Sequence, residues 1–181
     1  MGKVMESKID IALLAAALFA SGCSSGGADD PSGAGNALVG KQAPEIQAES
    51  VGGEGPTSVG DARGKVAIVD FWATYCDPCR KSFPVYQQLV DKHSGGLAVI
   101  GVSVDDPDDV STEDVKAFAT ELSVTFPIVW DKEKKTAGVY NPPKMPTSYV
   151  IDKQGVVRFV HAGYQAEEAD KIAAEVDELM K

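Results

Sequence analysis

The sequence predicts an α/β domain in which helices pack against a β-sheet. Apolar runs typical of buried strands alternate along the chain with stretches of helical periodicity. The chain has 181 residues, of which 44% are hydrophobic and 24% are charged. This length and composition predict one globular domain with a packed core, together with a tail.

The first two predicted strands are nearly continuous apolar runs. Val66–Trp72 and Leu97–Val104 are rich in β-branched residues, as expected of strands that are covered on both faces. Between them, Cys79–Lys92 carries apolar residues at helical spacing and predicts a helix.

A second helix, a short strand and a third helix are predicted next. Ser111 and Asp114 have the spacing of a capping box, and apolar residues follow at helical spacing. Phe126–Trp130 predicts a short strand, and Lys134–Tyr140 predicts one or two helical turns.

The C-terminal part predicts a hairpin and a last helix. Ser148–Ile151 and Val156–His161 flank a turn whose Gly155 can adopt positive φ. From residue 169 to residue 179, one apolar stripe at helical spacing predicts the final helix.

The N-terminus resembles the signal of a bacterial lipoprotein. Ile11–Ala20 is an apolar run of ten residues, too short to cross a bilayer core of about 30 Å but typical of a secretory signal. Ala20–Gly22 are small and lead into Cys23, in the pattern of a lipobox whose cysteine is acylated. We therefore predict a signal peptide over residues 1–22 and a lipid anchor on Cys23. This places the domain at the bacterial membrane, facing the periplasm. The alternative is an ordinary cleaved signal or an uncleaved signal anchor.

Residues 23–38 are predicted to be a flexible tether before a domain at 39–181, because they are rich in Gly, Ser, Ala and Asp. The net charge is −10 and does not change when residues 1–22 are removed. An acidic surface argues against binding nucleic acid or adhering to anionic lipid by charge.

Cys76 and Cys79 are predicted to carry the chemistry. Of three cysteines, Cys23 is assigned to the lipid, and the remaining closely spaced pair indicates a redox couple rather than a disulfide scaffold. A helix that begins at Cys76 offers unpaired N–H groups and partial positive charge, both of which stabilise a thiolate. The two histidines are isolated and no second cysteine pair exists, so neither a metal nor a cofactor is predicted.

The segment Val69–Arg80 (VDFWATYCDPCR) resembles the active-site segment of thioredoxins. Asp70 falls on their buried carboxylate, Pro84 on their helix-kinking proline, and Met145–Thr147 on the loop whose cis-proline faces the disulfide. Phe126–Tyr140 resembles the strand-helix insertion of the TlpA-like branch of extracytoplasmic reductases.

The resemblance implies a thioredoxin-like fold, with a central mixed β-sheet flanked by helices, and a thiol-disulfide oxidoreductase that reduces extracytoplasmic disulfides. In this reading Cys76 attacks the substrate, Cys79 resolves the mixed disulfide, Asp70 accepts the proton of Cys79, and Pro146 shapes the groove. Trp72 is expected mainly to pack in the core and to border the dithiol. The substrate groove is predicted to include Trp72, Tyr75, Asp77, Pro78, Met145 and Thr147. A membrane thiol transporter is implied as electron donor, with oxidised apocytochrome c or other envelope proteins as clients.

Two other functions remain open. A redoxin-type thiol peroxidase would need Pro-x-x-x-Thr/Ser-x-x-Cys, but Val69 stands seven residues before Cys76. A non-catalytic lipoprotein with a structural dithiol is the second. Residues 105–109 (DDPDD) lack the spacing of a calcium loop, and we predict a solvated turn there.

Overall fold

The computed structural model describes residues 1–2 and 36–181. Nearly all of the predicted signal peptide, Cys23 and most of the predicted tether therefore lie outside the described residues. In the part of the chain that is described, no helix combines the length and the apolar character that crossing a bilayer requires.

Within the described residues, six strands form one mixed sheet, and the sequence predicted five of them. In chain order they are β1 (Glu49–Gly52), β2 (Val66–Trp72), β3 (Leu97–Ser103), β4 (Ile128–Trp130), β5 (Thr147–Ile151) and β6 (Val157–Ala162). Their order across the sheet is β1-β4-β3-β2-β5-β6. The central strands β2, β3 and β4 run parallel, while β5, β6 and β1 pair antiparallel to their neighbours.

Residues 36–181 contain four helices, namely α1 (Asp77–His93), α2 (Thr112–Glu121), α3 (Lys135–Tyr140) and α4 (Ala166–Met180). The capping box at the start of α2 is confirmed: Ser111 accepts from the Asp114 N–H, and Asp114 accepts from the Ser111 N–H. The hairpin turn between β5 and β6 places Gly155 at φ 80°, as its sequence predicted.

The sheet buries both of its faces. Because successive strand residues point to opposite sides, Trp72 joins a cluster under α1, α2 and α4, while Phe71 joins a cluster with Tyr140 and Tyr149 on the other face. This two-sided burial explains why β2 and β3 are nearly continuous apolar runs.

The predicted insertion is filled by β4 and α3, which follow α2 in the chain. Strand β1, which the sequence did not predict, pairs with β4 at the edge of the sheet. Its residues Glu49–Gly52 bury Val51 alone, so they lack the alternation that marks a half-buried strand.

The pairing of β2 with β5 creates the location of the site. The two strands are antiparallel, with Phe71 opposite Thr147. The end of β2, which leads into Cys76, therefore lies beside the beginning of β5, which follows Pro146.

Candidate active site

A disulfide joins Cys76 and Cys79 at the start of α1, with 5.3 Å between their Cα atoms. Cys76 is the N-cap residue, and its sulfur accepts from the Cys79 N–H at 3.2 Å. Cys76 is 6% exposed and Cys79 is 0% exposed. Cys76 is therefore the more accessible of the two cysteines.

The loop before Cys76 is fixed by a buried carboxylate. Asp105 accepts from the Thr74 N–H at 3.0 Å and from the Thr74 hydroxyl at 2.7 Å. Ser103 also donates to Asp105, at 2.8 Å. These bonds connect the end of β3 to the active-site loop.

This contact corrects the prediction of a solvated turn over residues 105–109. Asp106–Asp109 are exposed, but Asp105 is 1% exposed. Asp105 lies just past the end of β3, close to the loop that leaves its parallel neighbour β2. A buried carboxylate at that position needs donors, and Thr74 and Ser103 provide them.

Trp72 and Thr147, two residues assigned to the predicted groove, are both buried, so their side chains pack inside the domain. Trp72 is fully buried, with ring centroids of Phe118 at 4.5 Å and Phe83 at 5.1 Å. Thr147 is also fully buried, and its hydroxyl donates to the carbonyl of Lys144. Trp72 supports the cysteines from below, and Thr147 fixes the approach to Pro146.

A groove of about 300 Å³ lies beside the disulfide and has Pro78, Met145, Tyr164 and Glu168 in its lining. Pro146 is buried, and the Met145–Pro146 peptide bond is cis. Tyr75, next to Cys76, is 71% exposed, and Asp77 is exposed as well. The side chains of Tyr75, Asp77, Pro78 and Met145 are therefore open to a substrate at the disulfide.

Gly163 closes the floor of this groove. Its N–H donates to the carbonyl of Pro146 at 2.7 Å, and its φ is +83°. A Cβ there would come within 2.8 Å of the Lys144 side chain. Glycine therefore allows the turn after β6 to approach the proline loop closely.

Asp70 is fully buried on β2 and lies on the same face of the sheet as Trp72, two residues before it. Burial raises the pKa of Asp70 from 3.8 to about 7, because the charged form is poorly solvated there, and hydrogen bonds from Ser148 and Tyr86 oppose the rise. A carboxyl group that titrates near neutral pH can both take up and release a proton under working conditions.

The two partners of Asp70 were not predicted from the sequence. Ser148 donates to Asp70 Oδ1 at 2.6 Å, and the Tyr86 hydroxyl lies 3.4 Å from the same oxygen. The sequence predicts only a helix over the segment that contains Tyr86 and a strand that starts at Ser148. The available signal was the buried carboxylate itself, since such a group requires donors on neighbouring elements.

Arg80 is held in place next to the site. It pairs with Glu121 at 2.9 Å and lies over the ring of Phe118 at 4.7 Å. Its positive charge is therefore partly compensated by Glu121. Asp77 is exposed beside Cys76 and contributes negative charge there.

Comparison with known proteins gives concordant results. Residues 39–160 match the AhpC/TSA family. The thioredoxin-like protein YneN of Bacillus subtilis (strain 168) is 38% identical over 124 residues, which cover 68% of this chain and 71% of that protein. Thiol-disulfide oxidoreductase ResA of Bacillus thuringiensis (strain Al Hakam) is 33% identical over 131 residues, which cover 72% of this chain and 73% of ResA.

Solved structures agree. A thiol:disulfide interchange protein of the thioredoxin family from Chlorobium tepidum TLS has a TM-score of 0.64 at 26% identity, covering 77% of this chain and 96% of that chain. The thioredoxin-like superfamily protein SPOA0173 has a TM-score of 0.67 at 25% identity, covering 77% of this chain and 96% of that chain. The predicted thioredoxin-like fold is confirmed.

Proposed function

We propose that this chain, which belongs to the AhpC/TSA family and is a thiol-disulfide oxidoreductase, reduces disulfides in extracytoplasmic proteins. The reduction takes place through Cys76 and Cys79. The observation that carries this proposal is the disulfide at the start of α1, in which Cys76 keeps a small exposed fraction and Cys79 is fully buried, next to a groove lined in part by Pro78. This arrangement supports attack by Cys76 and resolution by Cys79.

The reaction proceeds in two exchange steps. The Cys76 thiolate attacks one sulfur of the client disulfide, forms a mixed disulfide and releases the other client sulfur as a thiolate. Cys79 then gives its proton to Asp70 and attacks Cys76, so the second client sulfur leaves. The client disulfide takes up two electrons and two protons and becomes two thiols, and the enzyme ends as the Cys76–Cys79 disulfide.

Location and partners complete the proposal. Cys23 carries a lipid that holds the domain at the bacterial membrane, facing the periplasm. A membrane thiol transporter returns electrons to the oxidised pair, and oxidised apocytochrome c is among the clients. These partners follow from the resemblance of the active-site segment and insertion to TlpA-like reductases.

A thiol peroxidase is less well supported than a reductase. The peroxidase pattern needs Pro seven residues and Thr or Ser three residues before the reactive cysteine. Val69 and Ala73 occupy these positions relative to Cys76, and both are apolar and buried. Neither side chain can donate a hydrogen bond to a peroxide.

The test compares three variants of the chain with a disulfide-bearing peptide and with hydrogen peroxide as oxidants. Cys76→Ala should abolish reduction of the peptide, and Cys79→Ser should accumulate the mixed disulfide. Cys23→Ser is the matched control, because it replaces the third cysteine, which lies outside the reactive pair, and should leave peptide reduction unchanged. Faster turnover with peroxide than with the peptide would overturn the reductase assignment. Alkylation of Cys79 before Cys76 would reverse the two roles.

A further inference from the structure

Asp70 lies at the end of a chain of two buried hydroxyl groups. Ser148 Oγ is 2.6 Å from Asp70 Oδ1, and the Tyr86 hydroxyl is 2.6 Å from Ser148 Oγ. All three side chains are at most 1% exposed. Register explains the first contact, because Asp70 of β2 is directly opposite Ser148 of β5. Tyr86 reaches the pair from α1.

The direction of these hydrogen bonds follows from counting protons. A serine hydroxyl has one proton, and a carboxylate oxygen can only accept. Ser148 therefore donates to Asp70, and its contact with Tyr86 requires that Tyr86 donate to Ser148. The 3.4 Å separation of Tyr86 from Asp70 Oδ1 makes it the weaker direct contact. Donation runs from Tyr86 to Ser148 to Asp70, an order in which each bond strengthens the next.

The two oxygens of Asp70 are thus unequal. Oδ1 is held by hydroxyl groups, whereas Oδ2 has no hydrogen-bond partner among the described residues. We propose that Tyr86 and Ser148 are positioning residues for resolution of the mixed disulfide, holding Asp70 by Oδ1 so that Oδ2 accepts the proton of Cys79. This proposal rests on the role given to Asp70 in the proposed function.

The hydroxyl chain begins on the helix that carries Cys79. Tyr86 is seven residues, or about two helical turns, after Cys79, so both lie on the buried face of α1. Ser82, between them on that face, donates to the Cys79 carbonyl at 3.2 Å. The hydroxyl chain therefore connects Asp70 to the helix that carries Cys79.

The hydroxyl groups act on the charge state of Asp70. Donation to a carboxylate stabilises its ionised form, which lowers the pKa, and burial acts in the opposite direction. Tyr86 remains a donor throughout, because burial and the charge of Asp70 raise its own pKa well above the ordinary value. Without the two donors, Asp70 would hold its proton at neutral pH and could not deprotonate Cys79.

Other titratable groups near this chain come from α1, the end of β6 and α4. They are Cys79 in its reduced form, His161 with its partners Glu168 and Glu175, and Tyr164. His161 is bonded on both ring nitrogens by the two glutamates, so its proton is shared with them and not with Ser148.

The chemical step balances without a further reactant. In the mixed disulfide, the Cys79 proton moves to Asp70 Oδ2, and the Cys79 sulfur attacks the Cys76 sulfur. The bond between Cys76 and the client sulfur breaks, and the client leaves as a thiolate that is protonated from Asp70 or solvent. The client disulfide is the oxidant, and a small dithiol such as dithiothreitol restores the enzyme in the assay.

Reduced full-length protein is mixed with a disulfide-bearing peptide, and the rate at which the Cys76–Cys79 disulfide forms is measured at each pH. The range runs from about pH 5.5 to about pH 9.5, on both sides of the Asp70 pKa of about 7. Ser148→Ala should move the alkaline-rising limb upward by about one pH unit, so that closure at pH 7 is about tenfold slower and recovers at high pH. Tyr86→Phe should shift it less, because Tyr86 acts mainly through Ser148. Ser148→Thr keeps a hydroxyl and should restore the original profile.

Tyr149→Phe is the matched control. It removes a buried hydroxyl that donates to the Tyr140 carbonyl at 2.7 Å, on the opposite face of the sheet. Its profile should coincide with that of the unaltered protein. Ser148→Ala and Tyr86→Phe change separate elements, so the shift in either one that folds carries the test.

Asp70→Asn distinguishes a failure of the role of Asp70 as base from a failure of the positioning role of Ser148 and Tyr86. If this variant keeps the original pH profile, Asp70 is not the base and the proposed role fails. If Asp70→Asn flattens the profile while Ser148→Ala and Tyr86→Phe behave like Tyr149→Phe, the positioning proposal alone is overturned. If the unaltered protein does not reduce the peptide at all, the proposed function itself is refuted.

Discussion

Replacement of Asp70 by asparagine should make the protein more stable at neutral pH, although it damages the proposed chemistry. The pKa of Asp70 rises from 3.8 to about 7 on folding, because burial disfavours the carboxylate. Between these values the folded protein keeps a proton that the unfolded chain has released. Stability of the wild-type protein therefore falls as the pH rises through this window.

The size of the effect follows from the shift. A change from 3.8 to about 7 is roughly three pKa units, and each unit corresponds to 1.36 kcal/mol. The wild-type protein should therefore lose about 4 kcal/mol of unfolding free energy between about pH 4 and pH 8 from this group alone. Asparagine does not titrate and can still accept from Ser148, so the variant avoids the loss. Near pH 4 the two proteins should agree within about 1 kcal/mol.

Urea unfolding of both proteins, with the disulfide kept oxidised, would measure this difference across the pH range. Asp106→Asn is the control, because it removes the carboxylate of an exposed residue and should leave the difference from wild type nearly flat. An Asp70→Asn advantage that does not grow between about pH 4 and pH 8 would refute the reasoning, since the growth is what linkage requires.

Three further predictions address potential, anchoring and α4. Asp77→His should make the protein more oxidising, because it removes a negative charge beside the reactive thiolate. Equilibration with dithiothreitol would give the reduction potentials of both proteins. We expect about −270 mV for the wild type, and a value above about −180 mV would contradict a reductase. Cys23→Ser should release the protein from the membrane fraction without changing its redox activity, and a variant that still sediments would contradict lipid anchoring. Burial lowers the pKa of His161, but Glu175 and Glu168 outweigh it and hold the pKa above 6.5. The resulting stability is present below about pH 6.5 and is lost as the pH rises through the folded pKa of His161. Glu175→Gln should therefore lower the melting temperature more near about pH 6 than near about pH 9, and equal losses would contradict the ion pair.

The sequence predicted the fold well where burial is two-sided or where a cap is local. The apolar run Val66–Trp72 coincides with β2, and the capping box at Ser111 starts α2 as expected. Strand β1 was missed because it is short, lies at the sheet edge and buries Val51 alone. Such a strand exists because β4 pairs with it, a partnership that no local pattern encodes.

The site was predicted where chemistry depends on neighbours in the chain and missed where it depends on distant ones. Spacing alone placed Cys76 and Cys79 at a helix start. The hydroxyl groups around Asp70 come from residues 16 and 78 positions away, so only the register of β2 with β5 and the packing of α1 reveal them. Asp105 was misjudged for the same reason, since its partner Thr74 lies 31 positions earlier.

The pairing of β2 with β5 has a consequence for how this protein can diverge. Both walls of the reactive centre, the cysteine loop and the proline loop, are attached to one pair of adjacent central strands through the register of Phe71 with Thr147. The chain between those strands includes β3, α2, β4 and α3, and it leaves and rejoins the sheet at these two adjacent strands. We therefore expect that changes in the length or surface residues of the peripheral elements can alter which clients are recognised while the reacting atoms keep their spacing. The scaffold separates inheritance of the chemistry from variation in its targets.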